Sequence, residues 1–201
     1  MNTFNKTLIA AALATSAGVA QAEVAANVGI ASAYLWRGFD LGNGSAVVSG
    51  GLDYAEGPFY AGVWASSGDD SYGTEYDLYA GLAGEIEGFS YDLGYVSYNY
   101  PDELVAGADF EEFYIGIGFG DFSLTAYDND DGDYTYYAFG YGFGDFSFTY
   151  GLWDATTDGS HIDATYSMGD FGFTLSQVID DDAYANDELK MMVSYSVPLD
   201  M

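Results

Sequence analysis

The sequence predicts an all-β fold, a transmembrane up-and-down antiparallel β-barrel of about 12 strands. Three observations support this prediction. A motif repeats at the length of one β-hairpin, the segments between turns alternate between apolar and polar residues, and a very acidic chain is rich in aromatic residues. The 201 residues include 20 Tyr, 14 Phe, 3 Trp and 27 Gly.

The first 22 residues have the features of an export signal. Lys6 precedes an apolar run over Leu8–Val19, and Ala20-Gln21-Ala22 forms a small-x-small cleavage site. The run is too short for a helical membrane span, which needs about 20 residues. We therefore expect residues 1–22 to be removed and residues 23–201 to form one domain, since no linker divides them.

The composition excludes several classes of partner and chemistry. Because 32 Asp and Glu stand against 3 Lys and Arg, the net charge is −29 at pH 7. Such a field repels nucleic acid and attracts cations, so small cations are expected partners and nucleic acid is not. The chain has no Cys, which excludes disulfides and thiol chemistry. No cofactor is expected.

The clearest internal signal is a repeated motif. Gly118–Ser123 has the sequence GFGDFS, which recurs 24 residues later at Gly142–Ser147, and Gly169-Asp170-Phe171 continues the pattern. This period suits a hairpin of two strands with one tight turn and one longer loop. Gly supplies the positive φ that two-residue turns require. Five tight turns are predicted, at Glu56–Phe59, Glu87–Phe89, Gly120–Asp121, Gly144–Asp145 and Gly169–Asp170.

Six longer breaks alternate with these turns and carry clustered acidic residues. Together the breaks and turns divide the chain into twelve strands with both termini on the turn side, as in bacterial outer-membrane barrels. The predicted outer loops are Arg37–Ser45, Ser67–Thr74, Tyr100–Ala108, Asp128–Asp133, Ala155–Ser160 and Asp180–Asp187.

The strands alternate with period two, which indicates a sheet with two different faces. In Phe146–Trp153 the even positions are large and apolar, whereas Ser147, Thr149 and Gly151 are small or polar. Alternation alone does not distinguish a lipid barrel from a soluble sandwich. A high strand content, Phe residues just after each turn, and Gly and Ser on the polar face favour lipid. The predicted location is the bacterial outer membrane.

Part of the chain also resembles a known family. Tyr34–Phe39 (YLWRGF), Gly50–Tyr54 (GGLDY) and Phe59–Ser66 (FYAGVWAS) are similar to the TorF-like porins, also called the Gcw_chp family of proteobacterial proteins. The resemblance is strong over Val24–Ser67. It implies an outer-membrane barrel of porin function without assigned substrate or catalytic residues. One departure is the terminal Met201, where outer-membrane proteins commonly have an aromatic residue.

The polar face of the predicted strands carries charges that we expect to line the pore. Five acids against one base would favour cations in a pore for small hydrophilic solutes. Alternatively, these groups pair with each other, Tyr hydroxyls and water inside a plugged barrel that conducts nothing. Twelve strands do not decide between the two, because eight-stranded barrels are filled and sixteen-stranded barrels are open. The predicted pore-lining residues are Asp53, Asp77, Asp92, Glu112, Asp163 and Lys190.

Arg37 stands alone among many carboxylates and must therefore be paired. Two roles are consistent with its place at the predicted top of the first strand. It tethers the first outer loop to the acidic wall, which is the favoured interpretation, or it forms part of a constriction. Gly38, Gly42 and Gly44 indicate that this loop bends sharply and could fold inward.

The loop Asp128–Asp133 has the sequence DNDDGD, which at first resembles a calcium loop. An EF-hand would need a Glu twelve residues from its start, and Phe139 occupies that position. Solvated loop charge is therefore expected. The alternative is weak binding of Ca²⁺ or Mg²⁺ through Asp128, Asp130, Asp131 and Asp133, or through Asp180–Asp182.

His161 is the only His, and an enzymatic interpretation depends on it. Asp163 shares its predicted face, as general base chemistry would require. However, adjacent residues of a strand point to opposite faces, so Ser160 is not placed as its nucleophile. Without a second His, a His-rich zinc site is also excluded, and without Cys there is no thiol chemistry. We therefore expect no enzymatic activity.

Overall fold

The computed structural model describes residues 22–102, 104–156, 158–180 and 187–199. The predicted signal segment, apart from Ala22, lies outside these residues. Over the described ranges the chain is all β. None of the described residues belongs to a helix long and apolar enough to cross a membrane.

Twelve strands form a closed antiparallel barrel, which confirms the predicted all-β barrel architecture and strand number, and two short strands form a separate hairpin. Each barrel strand pairs with its neighbour in the chain, and β1 closes the barrel by pairing with both β4 and β14. The strands are β1 (Glu23–Ala31), β2 (Leu35–Trp36), β3 (Phe39–Asp40), β4 (Val47–Glu56), β5 (Phe59–Asp69), β6 (Gly73–Ile86), β7 (Phe89–Asn99), β8 (Phe110–Phe119), β9 (Phe122–Asn129), β10 (Tyr134–Phe143), β11 (Phe146–Ala155), β12 (Gly159–Met168), β13 (Phe171–Asp180) and β14 (Lys190–Leu199).

The five predicted tight turns are all present and each contains two residues. In the turn between β10 and β11, Gly144 has a φ of 59°, which matches a type II′ turn with Gly first. In the turn between β6 and β7, Glu87 and Gly88 have φ values of 52° and 84°. Positive φ at both central residues is the pattern of a type I′ turn.

The two faces of the barrel have the polarity opposite to that of a water-soluble protein. Large apolar side chains point outward, and Ile115 on β8 remains 54% exposed. Charged side chains of the same strands point inward, and Glu112 on β8 is fully buried. Soluble monomers rarely expose so continuous an apolar surface. The Phe residues that follow the turns are exposed as well, namely Phe59, Phe89, Phe122, Phe146 and Phe171.

The predicted first outer loop is the main correction to the fold. We expected the first strand to continue to Arg37, but β1 ends at Ala31 opposite Val47 of β4. Residues 32–46 form the connection instead, and β2 and β3 pair within it as a small hairpin. The run Tyr34-Leu35-Trp36 has strand-like composition because it packs inside the barrel rather than continuing its wall.

Candidate functional site

The candidate site is the hairpin of β2 and β3 inside the barrel, together with the wall residues that hold it. Its turn is Trp36-Arg37-Gly38-Phe39, in which Arg37 has a φ of 48° and Gly38 a φ of 88°. A left-handed conformation costs a residue with a side chain about 1–2 kcal/mol. Contacts of Arg37 must offset this cost.

A bidentate ion pair joins the hairpin to the opposite wall. Arg37 Nη1 and Nη2 donate to Glu112 Oε1 and Oε2 at 2.6 and 2.7 Å. The Arg37 side chain is 8% exposed and that of Glu112 is fully buried. Tyr98 and Tyr134 also donate hydroxyl hydrogen bonds to Glu112, at 3.0 and 2.9 Å. Two parallel charge-assisted bonds fix the guanidinium in both position and orientation.

Aromatic rings surround the Arg37 guanidinium. Its Cζ lies 4.6 Å from the ring centroid of Trp36, 4.3 Å from that of Tyr127 and 4.5 Å from that of Tyr136. Burial by itself lowers the pKa of Arg37, but the charge of Glu112 outweighs burial and raises the pKa above its usual value. Arg37 therefore stays charged, and each cation–π contact adds about 0.5–2 kcal/mol.

A second anchor holds the segment before the hairpin against another part of the wall. Tyr34 is fully buried, and its hydroxyl donates to Glu75 Oε2 on β6 at 2.6 Å. Its ring lies 6.0 Å from that of Trp64 on β5. Burial raises the pKa of the Tyr34 phenol well above its usual value, and the charge of Glu75 adds to this effect. The phenol is therefore a hydrogen-bond donor at any ordinary pH.

The six residues predicted to line a pore all belong to the inner face. Tyr79 donates a hydroxyl hydrogen bond to Asp53, and Tyr60 donates one to Asp92 Oδ1 at 2.6 Å. These two acids are thus held by phenols in the same way as Glu112. That these residues line a pore stays a prediction.

The other three predicted residues differ in their surroundings. Asp77 is fully buried on β6. Lys190 is half-buried on β14, on the same face as buried Met192, and its Nζ lies 3.5 Å from the Glu188 carbonyl oxygen. Asp163 on β12 has its Oδ1 within hydrogen-bonding distance of His161 Nδ1, at 3.2 Å.

A cavity of about 210 Å³ lies beneath the hairpin. Trp36 and Arg37 border it on the hairpin side, and its walls include Tyr98, Asp163 and Thr165. The cavity therefore combines aromatic surface, hydroxyl groups and one carboxylate. Its size and polarity suit a small hydrophilic molecule or a hydrated ion.

His161 lies on the wall beside this cavity and is fully buried. Its Nε2 lies 2.9 Å from the Tyr136 hydroxyl, and its Nδ1 lies 3.2 Å from Asp163 Oδ1. The strand register shifts between Ser160 and His161, and both residues are buried. The Tyr136–His161–Asp163 chain braces the wall where Arg37 packs against Tyr136. The absence of enzymatic activity remains a prediction.

The acidic loop between β9 and β10 is a tight connection with exposed carboxylates. Asn129 organises it, because Oδ1 of Asn129 accepts from the Asp131 amide at 3.1 Å and its carbonyl accepts from Gly132 at 2.9 Å. Asp128 accepts from Thr135 Oγ1 at 2.9 Å. In the described part of the chain, no three His, Asp or Glu residues are grouped to hold a metal ion. Asp181 and Asp182 lie outside the described residues.

Sequence reasoning missed the aromatic half of the site. Tyr98, Tyr127, Tyr136 and Trp153 occupy the inner face, where the alternation predicts small or polar residues. Trp153 Nε1 donates to the Arg37 carbonyl oxygen at 3.4 Å. The sequence did contain a signal for these residues, because they occupy positions that alternate with the apolar outer face and so point inward. An aromatic ring that points inward needs an apolar or cationic partner inside the barrel.

The fold and site define a class of protein. The molecule is a closed twelve-stranded barrel with an apolar outer face and a polar interior crossed by a hairpin, which is compatible with an outer-membrane barrel protein. The chain belongs to the Gcw_chp family, described as bacterial protein of unknown function, whose model matches residues 14–186. No curated protein matches the chain.

Proposed function

We propose that this protein is an outer-membrane porin for passive diffusion of small hydrophilic solutes, with a preference for cations. The observation that carries this proposal is the inverted barrel itself. An apolar outer face, on which Ile115 is 54% exposed, surrounds an interior in which Glu112 is fully buried. Lipid favours apolar side chains on the outer face. A closed barrel also pairs the backbone N–H and C=O groups of every strand, which lipid is unable to hydrogen-bond.

Interior charge supports the cation preference. Asp53, Asp92 and Asp163 are half-buried on the inner face, and their described partners are neutral phenols or His161. The Arg37 charge is paired with Glu112. A pathway along such a wall has a negative potential, which concentrates cations and repels anions.

The inward hairpin supports the restriction to small solutes. Tyr34 is anchored on β6 and Arg37 on β8, so the segment between them crosses the interior. A cavity of about 210 Å³ lies below this segment and offers space for passage. The hairpin therefore acts as the constriction, and the proposed pore is narrower than a twelve-stranded barrel would allow if unfilled.

The same hairpin favours a second candidate function. If the segment between Tyr34 and Arg37 seals the interior, the protein is a non-conducting structural barrel whose acidic outer loops bind divalent cations or partners. The bidentate bond at 2.6 and 2.7 Å favours this alternative, because such a buried anchor resists displacement.

Single-channel recording separates the two candidates. The refolded mature protein is placed in a planar bilayer under a KCl gradient, and both step size and reversal potential are measured. Discrete steps with a cation-selective reversal potential are expected. The Asp53→Asn/Asp92→Asn variant keeps the phenol hydrogen bonds but removes two charges, so its reversal potential should move toward zero at similar step size.

The control is Glu111→Gln, which removes one charge from the exposed face of β8 and should leave the reversal potential unchanged. A folded wild-type barrel that is silent would contradict the porin and favour the structural role. Conducting channels whose ion preference survives the loss of both Asp53 and Asp92 would instead show that these acids do not line the pathway.

A further inference from the structure

Three polar residues on β5 and β6 form an acidic group at the inner wall beside Tyr34. Glu75 and Asp77 are two residues apart on β6 and therefore point to the same face. Ser66 on β5 lies directly opposite Glu75 in the strand register. The exposed fractions of Ser66, Glu75 and Asp77 are 3%, 2% and 0%.

This group differs from the other interior acids in its hydrogen bonding. The buried Oγ of Ser66 has no hydrogen-bond partner among the described residues, and among the same residues the buried Asp77 carboxyl has only the Glu75 carboxyl within hydrogen-bonding reach. Asp53, Asp92 and Glu112 each accept at least one phenol hydrogen bond. An ionised carboxylate left buried without a counter-charge costs several kcal/mol, so the group needs a compensating species, which is either a proton held between the two carboxyls or a cation.

None of the described residues supplies a positive charge to this group. The charges that act most on Asp77 are those of Glu75 and Glu112, which have the same sign. Arg37 pairs with Glu112, and Lys190 on β14 contacts the Glu188 carbonyl. Tyr100 beside the group adds a phenol rather than a charge. Burial raises the pKa of Tyr100 above its usual value, and the neighbouring charge of Glu75 raises it further.

We propose that Ser66, Glu75 and Asp77 bind a hard divalent cation inside the barrel, with Ca²⁺ as the preferred ion. Two carboxylates balance its charge, as in other protein sites for Ca²⁺, and the Ser66 hydroxyl adds a neutral oxygen. Because no third His, Asp or Glu among the described residues is grouped with them, water completes the coordination. The site does not depend on conduction.

Occupancy of this site would also act on the hairpin segment. Glu75 accepts the Tyr34 hydroxyl at 2.6 Å, so a cation that fixes the Glu75 carboxylate also fixes this anchor. A bound cation therefore strengthens the attachment of the segment to β6. The exposed acids of the outer loops have no such link to the interior.

The test is calcium binding by refolded mature protein that has been stripped of metal with EDTA. Isothermal titration is carried out in about 0.15 M KCl, where the Debye length of about 8 Å screens weak surface binding. Wild-type protein should show one site per chain. Asp77→Asn should weaken this site roughly 100-fold, since one of its two charges is lost. Asp92→Asn inside the barrel and Asp130→Asn in the outer loop should retain it.

Two results would overturn the site. If wild-type protein binds neither Ca²⁺ nor Mg²⁺ more tightly than Asp77→Asn does, the carboxyl pair shares a proton instead of holding a cation. If Asp77→Asn does not refold, Ser66→Ala tests the same site while keeping both charges. An unchanged affinity in Ser66→Ala would exclude the group as the ligand set. Neither readout involves conductance, so a silent barrel leaves this result intact.

Discussion

Replacing Glu112 with Gln should release the inward hairpin while leaving the barrel wall folded. The substitution keeps the size of the side chain but removes the carboxylate charge that pairs with the buried Arg37 guanidinium. Removing one partner of a buried pair costs about 3–5 kcal/mol, and we take the lower end because Gln retains an acceptor oxygen. At about 1.4 kcal/mol per tenfold change, docking of the hairpin should weaken roughly 100-fold. Release also relieves the left-handed conformation of Arg37.

The chain offers a direct assay for this release. Only Arg37 and Lys190 remain as trypsin sites once residues 1–22 are removed, since the third base is Lys6. Cleavage after Arg37 reports opening of the hairpin, and cleavage after Lys190, the first residue of β14, reports opening of the barrel. When opening is fast, the rate of cleavage follows the open population. Glu112→Gln should therefore accelerate cleavage after Arg37 roughly 100-fold and leave cleavage after Lys190 nearly unchanged.

The matched control is Glu111→Gln, the preceding residue, which is exposed on the opposite face of β8. It should leave both cleavage rates at the wild-type level. If Glu112→Gln also cleaves after Arg37 at the wild-type rate, the ion pair does not hold the hairpin, and the packing of Trp36 must do so. Equal acceleration at both sites would mean that Glu112 stabilises the whole barrel.

Two further predictions concern the outer and inner faces. Ile115→Arg at the exposed middle of β8 should destabilise the barrel in a bilayer by about 2–4 kcal/mol, measured by urea unfolding in lipid, whereas Asp130→Arg in the loop should not. An Ile115→Arg protein as stable as the wild type would argue against lipid around the barrel. Gly151→Ala should cost about 1–3 kcal/mol because the new methyl group overlaps the His161 ring. Gly116→Ala meets only looser contacts and should cost less in the same thermal unfolding measurement.

The barrel could be predicted because its determinants are local. The repeated Gly-Asp pairs set the turns, and Gly144 adopts the positive φ that this reasoning requires. Alternation then fixed which residues share a face, and Phe146–Ala155 follows it closely. Prediction of which face points outward required the composition of each face as well, because alternation alone does not distinguish a lipid barrel from a soluble sandwich.

The sequence indicated a loop that could fold inward, but the end of the first strand and the β2–β3 hairpin could not be predicted from the same signals. Tyr34-Leu35-Trp36 contains no turn residue. Its local composition therefore predicts that the first strand continues through these residues. What ends the strand is packing across the interior, and the partner of Arg37 lies 75 residues further along the chain. The prediction that Arg37 must be paired followed from charge alone. Its partner depended on the barrel geometry.

Glu75 was missed for a related reason. The predicted loop Ser67–Thr74 placed Glu75 at the very start of a strand, where an acid is expected to be solvated. In the structure β6 begins at Gly73, and the Tyr34 segment covers Glu75 from inside. A residue at the rim of a barrel is exposed or buried according to what the neighbouring loop does. That information is tertiary.

The strained turn at Arg37 also ties the hairpin to the order in which the barrel is assembled. Its ion-pair partner lies on β8, and Trp153, which contacts its carbonyl oxygen, lies 116 residues away on β11. Contacts of such sequence separation form late in folding. Until β8 to β11 have paired, the contacts of Arg37 with Glu112 and Trp153 are missing, and the bond after Arg37 lies on an open segment. A chain that stalls during assembly therefore presents this bond to any protease with specificity for basic residues, whereas a completed barrel conceals it.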